Sequence, residues 1–200
     1  MADPVTRAEF LRRMGRFTAG FFGTIADLVF GDSLETIARL FPTFLRPPGA
    51  LPEGEFLETC TRCGTCVSAC PHFAIRRVLL PDSFDEGTPF LSPRDAYCHL
   101  CHDLPCVTAC PSGALRPPPR GQPLRIGTAR TDADSCLRSS GDACTACVSA
   151  CPDRFAALSL TGGSTPPTVD AGRCSGCGAC ESACPVRPDP AITVHPTASR

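Results

Sequence analysis

The sequence predicts a small α+β fold preceded by an N-terminal helical segment. A cysteine motif recurs four times between residues 60 and 185, and each copy is followed by a short apolar phrase typical of a strand. Residues 1–46 contain no cysteine and carry apolar residues at helical spacing instead. The 200-residue chain has 16 cysteines, no tryptophan and one tyrosine, so it cannot build a large aromatic core.

The last copy of the motif, Cys174 to Pro185, shows its chemistry most clearly. Its spacing, C-x2-C-x2-C-x3-C-P, is that of cysteines that hold a [4Fe–4S] cluster. Gly176 and Gly178 are expected to adopt positive φ angles and to let the backbone approach the cluster sulfides. We expect Cys184 to begin a short helix and to point toward a second cluster, as the fourth cysteine does in two-cluster proteins.

All four copies keep the x3 spacing before their last cysteine and the proline after it, although motifs 2 and 3 have longer loops between earlier cysteines. Sixteen thiolates, at four per cube, predict four [4Fe–4S] clusters and leave no cysteine over. The predicted iron ligands are Cys60, Cys63, Cys66 and Cys70 (motif 1), Cys98, Cys101, Cys106 and Cys110 (motif 2), Cys136, Cys144, Cys147 and Cys151 (motif 3), and Cys174, Cys177, Cys180 and Cys184 (motif 4).

Each copy has the order loop, short helix, turn and strand, and Ile192-Thr-Val194 is an example of the strand. This order is half of a ferredoxin-like unit, so the four copies predict two pseudo-symmetric modules with two [4Fe–4S] clusters each. Disulfides and zinc ribbons are the alternatives. Cysteines this close on a tight turn pair poorly with each other but chelate well, and the repeated C-x3-C-P favours clusters over zinc.

The charge pattern and the missing motifs exclude several functions. The net charge is −1 and all 19 basic residues are arginine. No basic stripe alternates with aromatic residues, so no nucleic-acid partner is predicted. The sequence has no nucleophile–base pattern, phosphate loop or dinucleotide motif, so a catalytic activity of its own is not expected.

Residues 1–46 form the predicted N-terminal amphipathic helical segment. A second helix is predicted from Asp32, where Glu35 completes a capping box, to Phe41. The apolar run from Phe17 to Phe30 is short and contains Asp27, so it is not expected to span a bilayer. The apolar face of the first helix comprises Phe10, Met14, Phe17, Phe21, Ile25 and Leu28.

Three interpretations of this segment stay open. It is an amphipathic hairpin that packs on the chain or on a partner, an element of peripheral membrane contact through residues 5–45, or a relic of an export signal. Residues 6–11 resemble a twin-arginine motif with alanine as the second arginine, but no small-residue cleavage site follows. We therefore expect the segment to be retained. The predicted location is cytoplasmic and membrane-associated, with the periplasm as the alternative.

Residues 47–200 form the predicted four-cluster domain. The proline- and glycine-rich stretch from Arg46 to Thr59 is predicted to be an extended linker followed by a short helical lead-in. His99 and His102 flank Cys101. Because motif 2 has all four cysteines, both histidines are assigned to positions around a cluster or on the surface. The same surface assignment is made for two arginines next to cysteines, Arg62 before Cys63 and Arg173 before Cys174.

Several stretches resemble four-cluster ferredoxin-type proteins of the NapG and MauM type, and motif 1 also resembles the related NapF. The resemblance runs from Leu45 to Pro196. Its most specific pieces are Gly87-Thr-Pro-Phe90, Cys98 to Leu115, the long-gapped Cys136 to Cys147, and motif 4. NapG-type members carry a complete twin-arginine signal, whereas this sequence does not.

The resemblance implies a subunit that relays electrons between a quinone-linked membrane partner and a soluble oxidoreductase. The alternative is a NapF-like accessory or maturation protein for a partner redox enzyme. A third hypothesis is that the clusters only stabilise the fold.

The pairing of the motifs stays open as well. In a nested arrangement, found in related four-cluster oxidoreductase subunits, the first three cysteines of motif 1 bind one cluster together with Cys184. The first three cysteines of motif 4 bind another cluster together with Cys70. Cys151 is then the fourth ligand of the cluster at motif 2, and Cys110 is the fourth ligand of the cluster at motif 3. In the alternative arrangement, motif 1 pairs with motif 2 and motif 3 pairs with motif 4.

Overall fold

The structure is a computed structural model that describes residues 44–197. Both predicted N-terminal helices lie outside the described residues. No helix in the described part is long and apolar enough to cross a membrane. The helices are α1 (Glu53–Thr59), α2 (Thr65–Ser68), α3 (Pro105–Thr108), α4 (Ala146–Ala150) and α5 (Ala179–Ala183), and the strands are β1 (Ile75–Arg77), β2 (Pro89–Leu91), β3 (Gly127–Thr131), β4 (Leu158–Ser159), β5 (Thr168–Val169) and β6 (Ile192–Pro196).

Motifs 1 and 2 lie in the first half of this region, residues 45–116. After motif 1 the chain forms the antiparallel β1–β2 hairpin, in which Ile75 lies opposite Leu91. The segments before motif 1 and after motif 2 meet in an antiparallel bridge between Ala50 and Leu115. Helices α2 and α3, which belong to the two motifs, are in contact.

Residues 127–196, the second half, repeat this order with motifs 3 and 4. Strand β3 precedes motif 3 and pairs antiparallel with β6, which follows motif 4, so Gly127 lies opposite Pro196. The β4–β5 hairpin follows motif 3 as β1–β2 follows motif 1. Helices α4 and α5 pack against each other. Each half therefore has backbone pairing between its two ends, a hairpin between its motifs and two short motif helices.

The stretch predicted to be an extended linker is instead part of the packed core. Leu45 and Arg46 are 6% and 7% exposed, and Pro47 and Pro48 are fully buried. The Leu91 N–H donates to the Leu45 carbonyl over 2.7 Å, which attaches the stretch to β2. Proline and glycine indicate irregular backbone, and such backbone is buried here because its polar groups have partners. The predicted helical lead-in is present as α1.

The motif helices lie before the fourth cysteine rather than after it. The third cysteine of each motif, for example Cys180 in α5, sits inside the helix. Cys184 ends α5 with an extended backbone, at φ −62° and ψ 124°. The prediction that Cys184 begins a helix is therefore wrong. The proline that follows has no N–H to continue a helix, so the chain turns away at this point.

Motifs 2 and 4 form the boundary between the two halves. The Cys98 N–H donates to the Cys177 carbonyl over 2.9 Å. Arg94, between β2 and motif 2, donates to the Cys184 carbonyl over 3.2 Å. Phe155 packs against the apolar cores of both halves. These contacts join the halves into one compact unit.

Candidate iron–sulfur sites

The sixteen cysteines gather into four groups of four, which we call quartets. All sixteen lie in the described region and are free thiols. Each quartet takes three cysteines from one motif and the fourth from another. Quartet A comprises Cys60, Cys63, Cys66 and Cys110; quartet B comprises Cys70, Cys98, Cys101 and Cys106; quartet C comprises Cys151, Cys174, Cys177 and Cys180; and quartet D comprises Cys136, Cys144, Cys147 and Cys184.

The quartets pair motif 1 with motif 2 and motif 3 with motif 4. Cys110 lies close enough to Cys66 to raise its pKa, and Cys70 lines the same cavity as Cys98. The nested arrangement is wrong, because Cys184 lines the cavity of motif 3 rather than that of motif 1. The reason is local packing: α2 contacts α3 and α4 contacts α5, so the cysteine after each helix reaches the adjacent motif.

The quartets fit a polynuclear cluster. Quartets B, C and D surround empty spaces of similar size, about 340, 330 and 360 Å³ when counted out to their openings into solvent. A single Zn²⁺ holds its thiolates at about 2.3 Å, which would leave no such space. Within residues 44–197, no three His, Cys, Asp or Glu side chains converge tightly enough for a single ion. Four thiolates around a small apolar cavity suit a [4Fe–4S] cube.

Burial and mutual repulsion favour the protonated form of many of these thiols. Burial first, and neighbouring cysteines second, raise the pKa of Cys66 and of Cys147 to about 11. Burial raises the pKa of Cys98 to about 12. It also raises the pKa of Cys180. Because the thiolate is the iron ligand, binding of a cluster releases protons from these side chains.

Cys63 of quartet A is the cysteine that differs from this pattern. Its side chain is exposed. The Thr65 hydroxyl, 3.2 Å from its sulfur, is the main cause that lowers the pKa of Cys63 to about 7. One cysteine of quartet A therefore lies at the surface and has a stabilised thiolate.

Left-handed backbone conformations shape the ligand loops. Gly176 and Gly178 have φ angles of 75° and 86°, which confirms the prediction for motif 4. Arg62 and Leu100 take the place of Gly176 in motifs 1 and 2, with φ angles of 57° and 47°. A non-glycine residue reaches this region at a cost of roughly 1–2 kcal/mol. Gly176 has a further requirement, because a Cβ there would lie 2.3 Å from the Gly127 nitrogen.

Besides the Thr65 hydroxyl, two more hydrogen-bonding groups lie near cysteine sulfurs, and the spacing of the cysteines predicts none of the three. The Ala129 N–H on β3 donates to the Cys174 sulfur over 3.4 Å. The Ser112 hydroxyl lies 3.7 Å from the Cys110 sulfur. A hydroxyl residue two positions after a ligand cysteine is the sequence signal that could have found Ser112. Hydrogen bonds to sulfur tune the potential of a cluster.

Neither histidine of motif 2 belongs to a quartet. His99 stacks on His72 with ring centroids 3.6 Å apart, and on Tyr97 at 4.4 Å. His72 and His99 both line the cavity of quartet B. His102 is exposed. The stack therefore forms part of the wall around quartet B.

Arg62 and Arg173, which directly precede Cys63 and Cys174, have surface positions. Arg62 donates to the backbone carbonyls of Glu86 and Phe84 over 2.9 and 3.0 Å. It thereby ties the ligand loop of motif 1 to the loop between β1 and β2. Arg173 is exposed.

Comparison with protein families adds independent support for these sites. The family model described as a 4Fe–4S dicluster domain matches residues 59–114, 97–155 and 141–187. These three ranges together include all sixteen cysteines. No solved structure matches the chain significantly.

Several curated proteins are similar over most of the chain. The methylamine utilization ferredoxin-type protein MauM of Methylobacillus flagellatus is 43% identical over 182 residues, which are 86% of this chain and 77% of that protein. The ferredoxin-type protein NapG of Escherichia coli is 39% identical over 201 aligned residues, which cover 95% of this chain and 85% of that protein. The ferredoxin-type protein NapF of Escherichia coli is 30% identical over 153 residues, which cover 76% of this chain and 86% of that protein. The chain therefore belongs to the ferredoxin-type family of 4Fe–4S dicluster proteins that includes MauM and NapG.

Proposed function

We propose that this chain is an electron-transfer subunit with four [4Fe–4S] clusters in two ferredoxin-like modules. It relays electrons between a quinone-linked membrane partner and a soluble oxidoreductase, and it catalyses no reaction of its own. One observation carries the proposal: all sixteen cysteines gather into four quartets, and each quartet has the number of thiols that one cube needs.

The residues of the chain hold and tune these centres. A bound [4Fe–4S] cluster accepts or releases one electron, at a potential set by hydrogen bonds, burial and charge. The Ala129 N–H stabilises electron-rich sulfur at Cys174. Val186 and Ile192 line quartet D and keep water from it. Such walls lower the local dielectric, so each hydrogen bond to sulfur has a larger effect.

The surface beside quartet A supports contact with a partner protein. Cys63 is exposed there, and Arg62 binds the Phe84 carbonyl in the loop between β1 and β2. Leu79 and Phe84 on that loop are 84% and 86% exposed. Large exposed apolar side chains on one loop make that loop a candidate for contact with a partner.

Anaerobic potentiometric titration, followed by EPR spectroscopy, tests this proposal. We expect reversible one-electron centres that membranes with a reduced quinone pool can reduce. A matched sample with a quinol-site inhibitor should stay oxidised. Centres that never change oxidation state across the titration would show that the clusters are structural.

An accessory role resembling that of NapF is the second candidate, favoured by the 30% identity to NapF and by the exposure of Cys63. Here the chain would bind the cofactor-free form of a partner enzyme, and its clusters would be labile. A stable complex with that form, but not with the mature enzyme, supports this role over electron relay.

We further propose a cytoplasmic protein held at the membrane through residues 5–45, with the periplasm as the alternative location. Deletion tests the membrane contact and should stop at Thr43, because Leu45 and Arg46 are buried in the core. The shortened protein should leave the membrane fraction with its iron content intact. If it stays with the membrane, the contact lies in the cluster domain.

A further inference from the structure

We infer that the four quartets lie in a row in the order A, B, C, D, so that quartets A and D are the two ends at which electrons enter and leave. The role of the two ends rests on the proposed electron-transfer function. The order itself is a property of the fold and can be tested without any partner.

Exchange of the fourth cysteine makes A and B neighbours. Cys110 follows α3 of motif 2, and the Ala109 carbonyl just before it accepts a hydrogen bond over 3.0 Å from the hydroxyl of Thr65, the neighbour of Cys66 in quartet A. Cys70 follows α2 of motif 1 but lines the cavity of quartet B. Two quartets that share both motif helices must lie side by side, and α2 contacts α3.

Quartets C and D are neighbours for the same reason. Cys151 of motif 3 lines the cavity of quartet C, and Cys184 of motif 4 lines that of quartet D. The motif helices that carry Cys147 of quartet D and Cys180 of quartet C, α4 and α5, also pack against each other.

The junction between the halves joins quartet B to quartet C. Cys98 is a member of B and Cys177 is a member of C, and the N–H of the first donates to the carbonyl of the second over 2.9 Å. Arg154, three residues after Cys151 of quartet C, donates to the His99 carbonyl beside quartet B over 2.6 Å. Two contacts thus connect the loops of the inner quartets.

Exposure agrees with the place of quartet A at one end of the row. Quartet A has Cys63 at the surface, whereas every cysteine of the other three quartets is buried or half-buried. Quartet A is therefore suited to electron exchange with a partner.

Each transfer along the row moves one electron from a reduced centre to its oxidised neighbour. No bond forms or breaks in the chain, and no proton moves. The electrons come from a partner at one end that oxidises quinol to quinone and releases two protons to water. The two electrons pass along the row one at a time and leave to an oxidoreductase at the other end.

Paired substitutions test the order through magnetic coupling between reduced centres. Cys63→Ala with Cys144→Ala removes quartets A and D, and should leave about eight iron atoms per chain, four in each remaining cube. If B adjoins C, these two centres show spin-coupled EPR signals after reduction with dithionite. The matched control, Cys101→Ala with Cys144→Ala, leaves the clusters of quartets A and C. The empty site of quartet B lies between these two clusters, so their EPR signals should be uncoupled. Uncoupled signals in the first variant, or coupled ones in the control, overturn the order.

A second measurement keeps all sixteen cysteines and needs no reduction. A Cβ at Gly178 would lie 2.5 Å from the Pro93 Cβ in the other half, whereas at Gly64 the nearest atom is the end of the Arg77 side chain, at 3.0 Å. Both glycines precede a motif helix and have similar φ angles, 86° and 81°. Gly178→Ala should therefore loosen the junction, and Gly64→Ala should carry the same backbone strain without doing so.

Hydrogen exchange of the peptide that contains Cys98 reports on the junction. We expect faster exchange of this amide in Gly178→Ala and unchanged exchange in Gly64→Ala. Equal protection in both variants contradicts the proposed contact between quartets B and C. Coupled inner centres that no partner reduces would instead refute the proposed function and leave the order intact.

Discussion

At the residue scale, the ligand loops depend on backbone conformations that most side chains tolerate poorly. Gly176 is the strictest position, because it combines a positive φ of 75° with a close approach to the backbone of β3. Arg62 shows that strain alone is tolerated at the corresponding place in motif 1, where its side chain has hydrogen-bond partners. Lack of space, rather than φ, therefore makes glycine necessary in motif 4.

Gly176→Ala should destabilise the protein by more than about 3 kcal/mol, the combined scale of overpacking and left-handed strain. Anaerobic denaturant titration of the cluster-loaded protein measures the effect. Gly162 is the matched control, since it has φ 94° but open space around it. Gly162→Ala should cost only roughly 1–2 kcal/mol. Equal losses for the two variants would rule out the steric explanation.

Ser112→Ala should lower the potential of the cluster in quartet A. The Ser112 hydroxyl lies 3.7 Å from the Cys110 sulfur, and its loss removes a donor that stabilises the reduced, more negative cluster. A shift on the order of 50 mV is expected, about a tenfold change in the equilibrium for one electron. Ser68→Ala is the control, because the Ser68 hydroxyl bonds to the Gly64 carbonyl instead. Redox titration should show a shift in the first variant alone.

At the element scale, the stretch before α1 is held by the buried Arg46. Its guanidinium donates to Glu53 in α1, and to the Thr88 hydroxyl and the Pro89 carbonyl beside β2, the last two over 2.9 and 3.1 Å. It also forms an ion pair with Asp85. One side chain thus connects the chain entry, α1 and the β1–β2 hairpin.

Arg46→Met should destabilise the protein by about 3 kcal/mol, because it leaves polar partners of a buried cation without their donor. The control is Arg116→Met. Arg116 lies 4.0 Å from its partner Glu55, and both side chains are more than half exposed. That change should cost less than about 1 kcal/mol. Thermal melting under anaerobic conditions compares the two, and similar melting temperatures would contradict the role of Arg46.

The same stretch shows where composition misleads. Two prolines and a glycine predicted a linker, yet Pro47 and Pro48 are buried. Proline and glycine report local backbone preference, whereas burial depends on contacts with β2 and the residues after motif 2, which are distant in sequence. The spacing within motif 4, by contrast, predicted its turn, because the relevant geometry is local.

The pairing of motifs could not be deduced for a related reason. Every motif offers the same C-x3-C-P ending, so the spacing is identical whichever motif receives the fourth cysteine. Only the packing of α2 on α3 and of α4 on α5 decides between the arrangements. Likewise, positive φ angles at Arg62 and Leu100 have no local sequence signal.

At the scale of the whole molecule, the quartets take the place of a continuous apolar core. Several members of the two apolar clusters are cysteines that face a cavity, such as Cys106 and Cys180. Without iron, each half would keep empty space and closely spaced thiols at its centre. Cluster binding should therefore be coupled to folding.

Removal of iron should unfold residues 44–197. An iron chelator, added under anaerobic conditions with a mild oxidant, should collapse the dispersion of the amide NMR spectrum. The same chelator presaturated with iron is the control and should leave the spectrum unchanged. A dispersed spectrum after complete iron loss would show that the polypeptide folds without its clusters.

Metal and sulfide analysis of anaerobically purified protein decides whether the quartets hold [4Fe–4S] clusters. We predict about sixteen iron atoms and about sixteen acid-labile sulfides per chain, four of each for every quartet. Zinc in the place of iron, or cysteines joined in disulfide bridges, would contradict it.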